Sequence, residues 1–180
     1  TVLHNVPHIS DVDVMADIFA ELGVSVQRDG TTLHVDARGL RAADGYLQDA
    51  RRMRASVLVL GGAIGRLDRV AIAQPGGDII GARSLGVHGK IFEGLGFAMQ
   101  ATPEGVEVSG RRHGSHTLNA ERGVTPTENA VLASVLGEGT TTIRLAACEP
   151  HVASLCDFLN SLGAKISGIG GYVLTIEAVE

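Results

Sequence analysis

One pattern limits the fold of this chain more than any other: an amphipathic segment ending in Leu-Gly, written three times. Residues 15–23, 88–96 and 152–163 each end this way, and each carries a phenylalanine (Phe19, Phe92, Phe158) one helical turn before the leucine. The glycines, Gly23, Gly96 and Gly163, suit the left-handed position just past a helix end. A short apolar stretch follows each glycine (residues 24–26, 97–99 and 164–166), then a turn rich in Gly or Asp. An alternating stretch comes next (residues 32–35, 105–108 and 172–176), with the period of a half-buried strand. Each unit therefore predicts a helix followed by a β-hairpin.

Between the hairpins, residues 51–62 and 127–137 are apolar over most of a helical circumference, as fully buried helices are. Strands are expected after them, over residues 69–73 and 140–144. A full unit reads helix, strand, helix, strand, strand. The first unit begins late. Val2-Leu3 reads as its opening strand with no apolar helix before it, so the polypeptide is expected to extend upstream. No unit can bury its apolar face alone, and three would do so against one another. The expectation is one α/β domain over residues 1–180, with repeats at approximately 1–40, 41–110 and 111–180, helices central and sheets outside.

Composition narrows the core and the function. Hydrophobic residues make up 44 %, but aromatics only 3 %, so the core is built from Leu, Val, Ile and Ala. A net charge of −5 argues against a nucleic-acid partner. The longest apolar run, residues 55–64, contains two glycines and falls short of the ~20 residues that span a bilayer, so no membrane association is expected. Cys148 and Cys156 are too few for a disulfide scaffold and match no zinc spacing; they read as packing residues of a reducing, cytoplasmic compartment. The glycines at 61, 62 and 65 lack the order of a dinucleotide loop. His113 and His116 lie in a Gly-Ser stretch expected to be solvated, and no cluster has metal-ligand spacing. The Ser, His and Asp residues form no nucleophile motif.

A specific resemblance emerges from motifs that fall in order: Asn5-Val6-Pro7, Asp11-Val12, Leu22-Gly23, Met53-Arg54-Ala55-Ser56, Pro75-Gly76-Gly77, Gly81-Ala82-Arg83, His88, Thr127-Glu128-Asn129, Gly137-Glu138-Gly139-Thr140, Glu149-Pro150, Phe158-Leu159 and the stretch 162–168. Together they resemble the enolpyruvyl transferase family, and within it the UDP-N-acetylglucosamine 1-carboxyvinyltransferases, nearly end to end. The resemblance implies two inside-out α/β barrels of three repeats each. This chain would be the domain with the catalytic loop, its first helix and companion domain absent. It implies an alkyl transferase acting in the first committed step of peptidoglycan synthesis, and hence in cell shape. The enolpyruvyl group of phosphoenolpyruvate would pass to the 3-hydroxyl of UDP-N-acetylglucosamine, with release of phosphate and no cofactor. The isolated domain would be inactive.

The resemblance also assigns residues. Asp78 takes the place of the general acid, where the family usually has cysteine. A free aspartate, with a pKa near ~3.9, is protonated in roughly one molecule per thousand at neutral pH, so Asp78 serves as an acid only where its surroundings push its pKa far upward. A carboxylate is also a poor substitute for the thiol that fosfomycin alkylates, which implies insensitivity to that inhibitor. Arg54 matches an arginine that the family uses in its active site, Arg83 matches one of its phosphoenolpyruvate site, and Arg51 is expected on the helix face of Arg54. Ser84, Leu85, Gly86 and Val87 fall where the family contacts the nucleotide base. The stretch Glu121-Arg122-Gly123-Val124-Thr125-Pro126-Thr127 falls where it holds the diphosphate, with Glu121, Arg122, Gly123 and Val124 as the expected contacts. Here the chain departs from the family: Glu121 and Gly123 stand where lysine and serine are common, Arg122 offers a charge from the next position, and His151 replaces a glutamate after Glu149-Pro150. Those departures leave two other readings open: transfer to a different acceptor, and a binding or scaffold domain that keeps the fold without the chemistry.

Overall fold

The structure, a computed structural model, describes residues 1–43, 45, 47–76 and 85–179. Among these, ten strands form three sheets. The first takes β1 (Val2–Leu3), β2 (Ser25–Asp29) and β3 (Thr32–Asp36), in the order β1-β3-β2. The second takes β4 (Arg69–Ala73), β5 (Ala98–Ala101) and β6 (Gly105–Ser109), in the order β4-β6-β5. The third takes β7 (His116–Asn119), β8 (Thr140–Arg144), β9 (Lys165–Ser167) and β10 (Val173–Glu177), in the order β7-β8-β10-β9. All neighbours are antiparallel except β7 and β8, which run parallel.

A helix enters each hairpin in the same way. These are α1 (Ser10–Glu21), α3 (Gly86–Gly94) and α5 (Pro150–Ser161), the last with proline at its start, where no amide hydrogen is needed. Gly23, Gly96 and Gly163 end them at φ 76°, 88° and 105°. Past each glycine the chain turns back: Val24, Phe97 and Ala164 donate their amides to the carbonyls of Phe19, Phe92 and Leu159. This six-to-one bond satisfies carbonyls the helix end would otherwise leave bare.

Two further helices, α2 (Leu58–Ile64) and α4 (Val124–Ser134), lie inside the three sheets and pack on each other. Their approach depends on Gly61. A Cβ there would stand 2.5 Å from Asn129 Oδ1 and 2.8 Å from the Asn129 carbonyl oxygen. Around this pair, Ile18, Phe92, Leu95 and Cys156 from the outer helices meet Ile72, Val106, Ile143, Leu174 and Ile176 from the sheets, all fully or almost fully buried. The fold is thus α/β with helices central and sheets outside. At the far end of α4, the buried Arg112 guanidinium donates to the Leu136 carbonyl (3.4 Å) and to Thr141 Oγ1 (2.9 Å), closing the helix terminus. No helix among the described residues is long and apolar enough to cross a membrane.

Three local expectations change. Residues 51–62 are not one helix: two 3-10 turns, Gln48–Arg52 and Arg54–Val57, flank an extended Met53 (φ −150°, ψ 148°), and α2 starts only at Leu58. The break is held by Ser56, whose hydroxyl donates to the carbonyls of Ala50 and Met53, so a side chain competes with the helix ladder. Arg51 and Arg54 therefore share no helix face. The stretch after Gly114-Ser115 forms β7, with His116 half-buried and its Nε2 2.9 Å from the His113 carbonyl oxygen. And α4 begins three residues before the apolar stretch, with Pro126 accommodated in its first turn.

Candidate active site

The chain leaves β4 through Pro75-Gly76, passes residues 77–84 and resumes at Leu85, entering α3 at Gly86. Asp78, Arg83 and Ser84 lie outside the described residues. The two ends of the segment do not. Gly76 donates its amide to the Ala50 carbonyl at 3.1 Å, and a Cβ on it would overlap the Arg51 carbonyl oxygen at 1.5 Å. Only glycine fits, and the fit anchors the segment's entry against the 3-10 turn before Met53.

On the other side of Met53 stands Arg54, half-buried at the head of the second 3-10 turn. Its charge reaches His88 in the first turn of α3. That ring is 2 % exposed; burial first, and Arg54 second, lower its pKa to about 4, so it is neutral across the physiological range. His88 Nδ1 lies 3.1 Å from Asn129 Nδ2, and its Nε2 lies 3.3 Å from Thr125 Oγ1. Asn129 in turn donates from Nδ2 to the Val57 carbonyl (3.1 Å) and accepts the Gly61 amide at Oδ1 (2.9 Å). One network of neutral groups therefore ties the turn of Arg54 to the first turns of α3 and α4.

The approach to α4 is built as tightly. Glu121 and Arg122 both adopt left-handed backbone, φ 52° and 58°, as does Leu145 at 50°. Non-glycine residues hold such angles only where neighbours impose them. Here the Glu121 amide donates to Asn119 Oδ1 (3.0 Å), and the Arg122 amide donates to the Leu145 carbonyl (2.7 Å). Thr127 Oγ1 donates to the Gly123 carbonyl (2.7 Å) and accepts the Ala147 amide (3.0 Å), fixing the helix start to the segment between β8 and α5. The start of α5 is close to α4 as well: the buried Glu128 feels His151 and Glu149. Burial is the main cause raising the Glu128 pKa; His151 opposes it and Glu149 adds to it.

Leu85, Gly86 and Val87 at the start of α3, Gly123 and Val124 at the start of α4, and Arg54 thus gather at one end of the domain. Helix N-termini present unpaired amide hydrogens and the positive end of the helix dipole, so this end favours an anion. Two residues behave otherwise. The Glu121 carboxylate accepts from Lys90 Nζ at 2.8 Å, and the Arg122 guanidinium lies over the Tyr172 ring, 5.2 Å from its centre. Sequence reasoning missed Asn129, Lys90 and Tyr172 as parts of this site. Asn129 alone left a sign, an amide in an otherwise buried helix that must find partners.

Residues 1–180 match the family described as EPSP synthase (3-phosphoshikimate 1-carboxyvinyltransferase). The chain belongs to this family. Within it, the chain is 38 % identical over 180 residues to UDP-N-acetylglucosamine 1-carboxyvinyltransferase of Borreliella burgdorferi and 41 % identical over 180 residues to that of Treponema pallidum. It covers 42 % of each relative, while 99 % and 98 % of this chain is matched. Among solved structures it is similar to the enolpyruvyl transferase NikO from Streptomyces tendae, with a TM-score of 0.81 over 99 % of this chain and 42 % of that one. At 21 % identity that likeness speaks for the fold alone.

Proposed function

We propose that this chain supplies one half of the active site of an enzyme that transfers the enolpyruvyl group of phosphoenolpyruvate to the 3-hydroxyl of UDP-N-acetylglucosamine, releasing phosphate. The observation that carries this reading is the gathering of Arg54 and the starts of α3 and α4 around both ends of the segment that bears Asp78 and Arg83. Arg54, Arg83 and the helix N-termini hold the phosphate and carboxylate of phosphoenolpyruvate. Asp78 gives a proton to the methylene carbon. The acceptor oxygen bonds to the neighbouring carbon as its hydroxyl gives up a proton. Loss of phosphate and of a methyl proton then restores the double bond. Cations fixed before the reaction, in a cleft that excludes water, stabilise the charge that develops.

The remaining cleft wall belongs to a companion domain, and the isolated chain is inactive. Within the domain we place repeats at approximately 1–40, 41–110 and 111–180. An apolar groove of about 330 Å³, lined by Met15, Phe19, Leu58, Val59 and Leu132 among others, lies open beside α2 and α4. The free Cys148 and Cys156 fit a cytoplasmic enzyme, and the acceptor makes it one of peptidoglycan synthesis.

The acceptor side favours keeping a second reading. Glu121 brings a carboxylate, paired with Lys90, to the place where the resemblance puts the diphosphate, and the charge of Arg122 is directed to the Tyr172 ring. Transfer to another acceptor fits that arrangement. The test incubates the full-length protein with phosphoenolpyruvate and UDP-N-acetylglucosamine and follows phosphate release and the enolpyruvyl ether by mass spectrometry. Stoichiometric release and ether support the first reading. Release only with another hydroxyl acceptor supports the second, and no release with any acceptor leaves a non-catalytic binding domain.

A further inference from the structure

Asn129 decides where a proton sits on His88. Because Asn129 Oδ1 accepts the Gly61 amide, the other amide atom is the nitrogen, and that nitrogen donates to the Val57 carbonyl. The same Nδ2 faces His88 Nδ1 at 3.1 Å. An amide nitrogen donates two hydrogens and accepts none, so Nδ1 must be the bare, accepting nitrogen. The ring proton then belongs to Nε2, 3.3 Å from Thr125 Oγ1, and the threonine oxygen is the acceptor of that bond. The hydroxyl proton of Thr125 is left without an acceptor among the described residues. Thr125 is half-buried, in the first turn of α4, directly after Gly123 and Val124.

We propose that His88, locked in its Nε2–H form by Asn129, is a positioning residue that sets both substrate halves of the site. Through Asn129 and Val57 it holds the turn that carries Arg54, and so the phosphoenolpyruvate side. Through Nε2–H it occupies the Thr125 oxygen, which turns the threonine hydroxyl into a donor toward an oxygen of the acceptor's phosphate groups. The charged group whose field reaches the ring is Arg54. A second cation beside it is disfavoured, so the pair remains one charge and one neutral dipole. This inference rests on the proposed function for the identity of its two ligands, but not for the tautomer.

Two conservative variants separate the two arms. In His88→Asn the amide oxygen falls near the place of Nδ1 and keeps the Asn129 bond while losing Thr125. In His88→Gln the amide nitrogen reaches toward the place of Nε2 and keeps Thr125 while losing Asn129. Loss of one such bond corresponds to roughly tenfold in affinity. In the full-length enzyme, calorimetry should show His88→Asn weakening UDP-N-acetylglucosamine about tenfold and phosphoenolpyruvate less than about twofold. His88→Gln should show the reverse. Equal weakening of both ligands by both variants is the signature of a merely structural histidine and would overturn the proposal. Nitrogen-15 spectra of the labelled native protein supply the readout that needs no turnover. A single Nε2–H form from pH 5 to 8 supports the lock, and an Nδ1–H form or a titrating ring overturns it. The expected spectrum in a protein without transferase activity would sink the proposed reaction and leave the lock standing.

Discussion

Mild acid should destabilise this protein through one residue. His88 has a pKa of about 4 in the native structure, lowered first by burial and then by Arg54. In the unfolded chain the ring takes its proton near ~6.5. Between those values the unfolded state binds a proton that the native state does not, so stability falls as the pH falls. Above the unfolded value the contribution is fully present, and below about 4 it has been lost. The whole window is worth about 3 kcal/mol, and at pH 5 about 2 kcal/mol of it has gone. Other groups act with different signs or in other ranges. Glu128, its pKa raised by burial, favours the native state as pH falls. Asp36 and Asp68, held down by hydrogen bonds from Arg38 and Arg111, lose their contributions only below the ordinary carboxylate range. A difference measurement removes them. Urea denaturation followed by circular dichroism, on the native protein and on His88→Asn, should show the native protein losing about 2 kcal/mol more than the variant between pH 7.5 and pH 5. Parallel pH profiles would refute the claim that a buried, neutral His88 is maintained against protonation.

Three further outcomes are expected, two of them from close glycine contacts. Gly61→Ala should destabilise the domain by about 2–4 kcal/mol, because the new methyl must displace Asn129 backbone and side chain together; a denaturation midpoint within error of the native one would contradict the close packing of α2 and α4. Gly76→Ala should lower kcat/KM for phosphoenolpyruvate at least about tenfold, since the Arg51 carbonyl cannot accept a Cβ without moving the entry to residues 77–84; steady-state kinetics of the full-length enzyme checks it. Asp78→Cys should gain stoichiometric labelling by fosfomycin and change the limbs of the pH–rate profile, while the native enzyme stays unlabelled by mass spectrometry. Labelling of native Asp78, or identical limbs, would remove that residue as the acid.

What was legible in the sequence was what one residue can impose on its own neighbourhood. Gly23, Gly96 and Gly163 end their helices because only glycine sits easily at their backbone angles, and the hairpins follow from alternation. The break at Met53 was not legible, because apolar periodicity over residues 51–62 is compatible with a helix. The helix is refused by Gly76, which arrives from the end of β4 to bond the Ala50 carbonyl, and by the hydroxyl of Ser56. His88 and Asn129 are 41 positions apart, and no local pattern joins them. The two central helices explain why the site had to be built this way. Packing them at the distance seen requires Gly61 on one and leaves Asn129 facing it on the other. A buried amide has to spend its second hydrogen somewhere, and the acceptor available is the imidazole of α3. The polar network beside Arg54 is therefore a consequence of close helix packing. A larger residue at position 61 should disturb Arg54, His88 and Thr125 together, although it touches none of them.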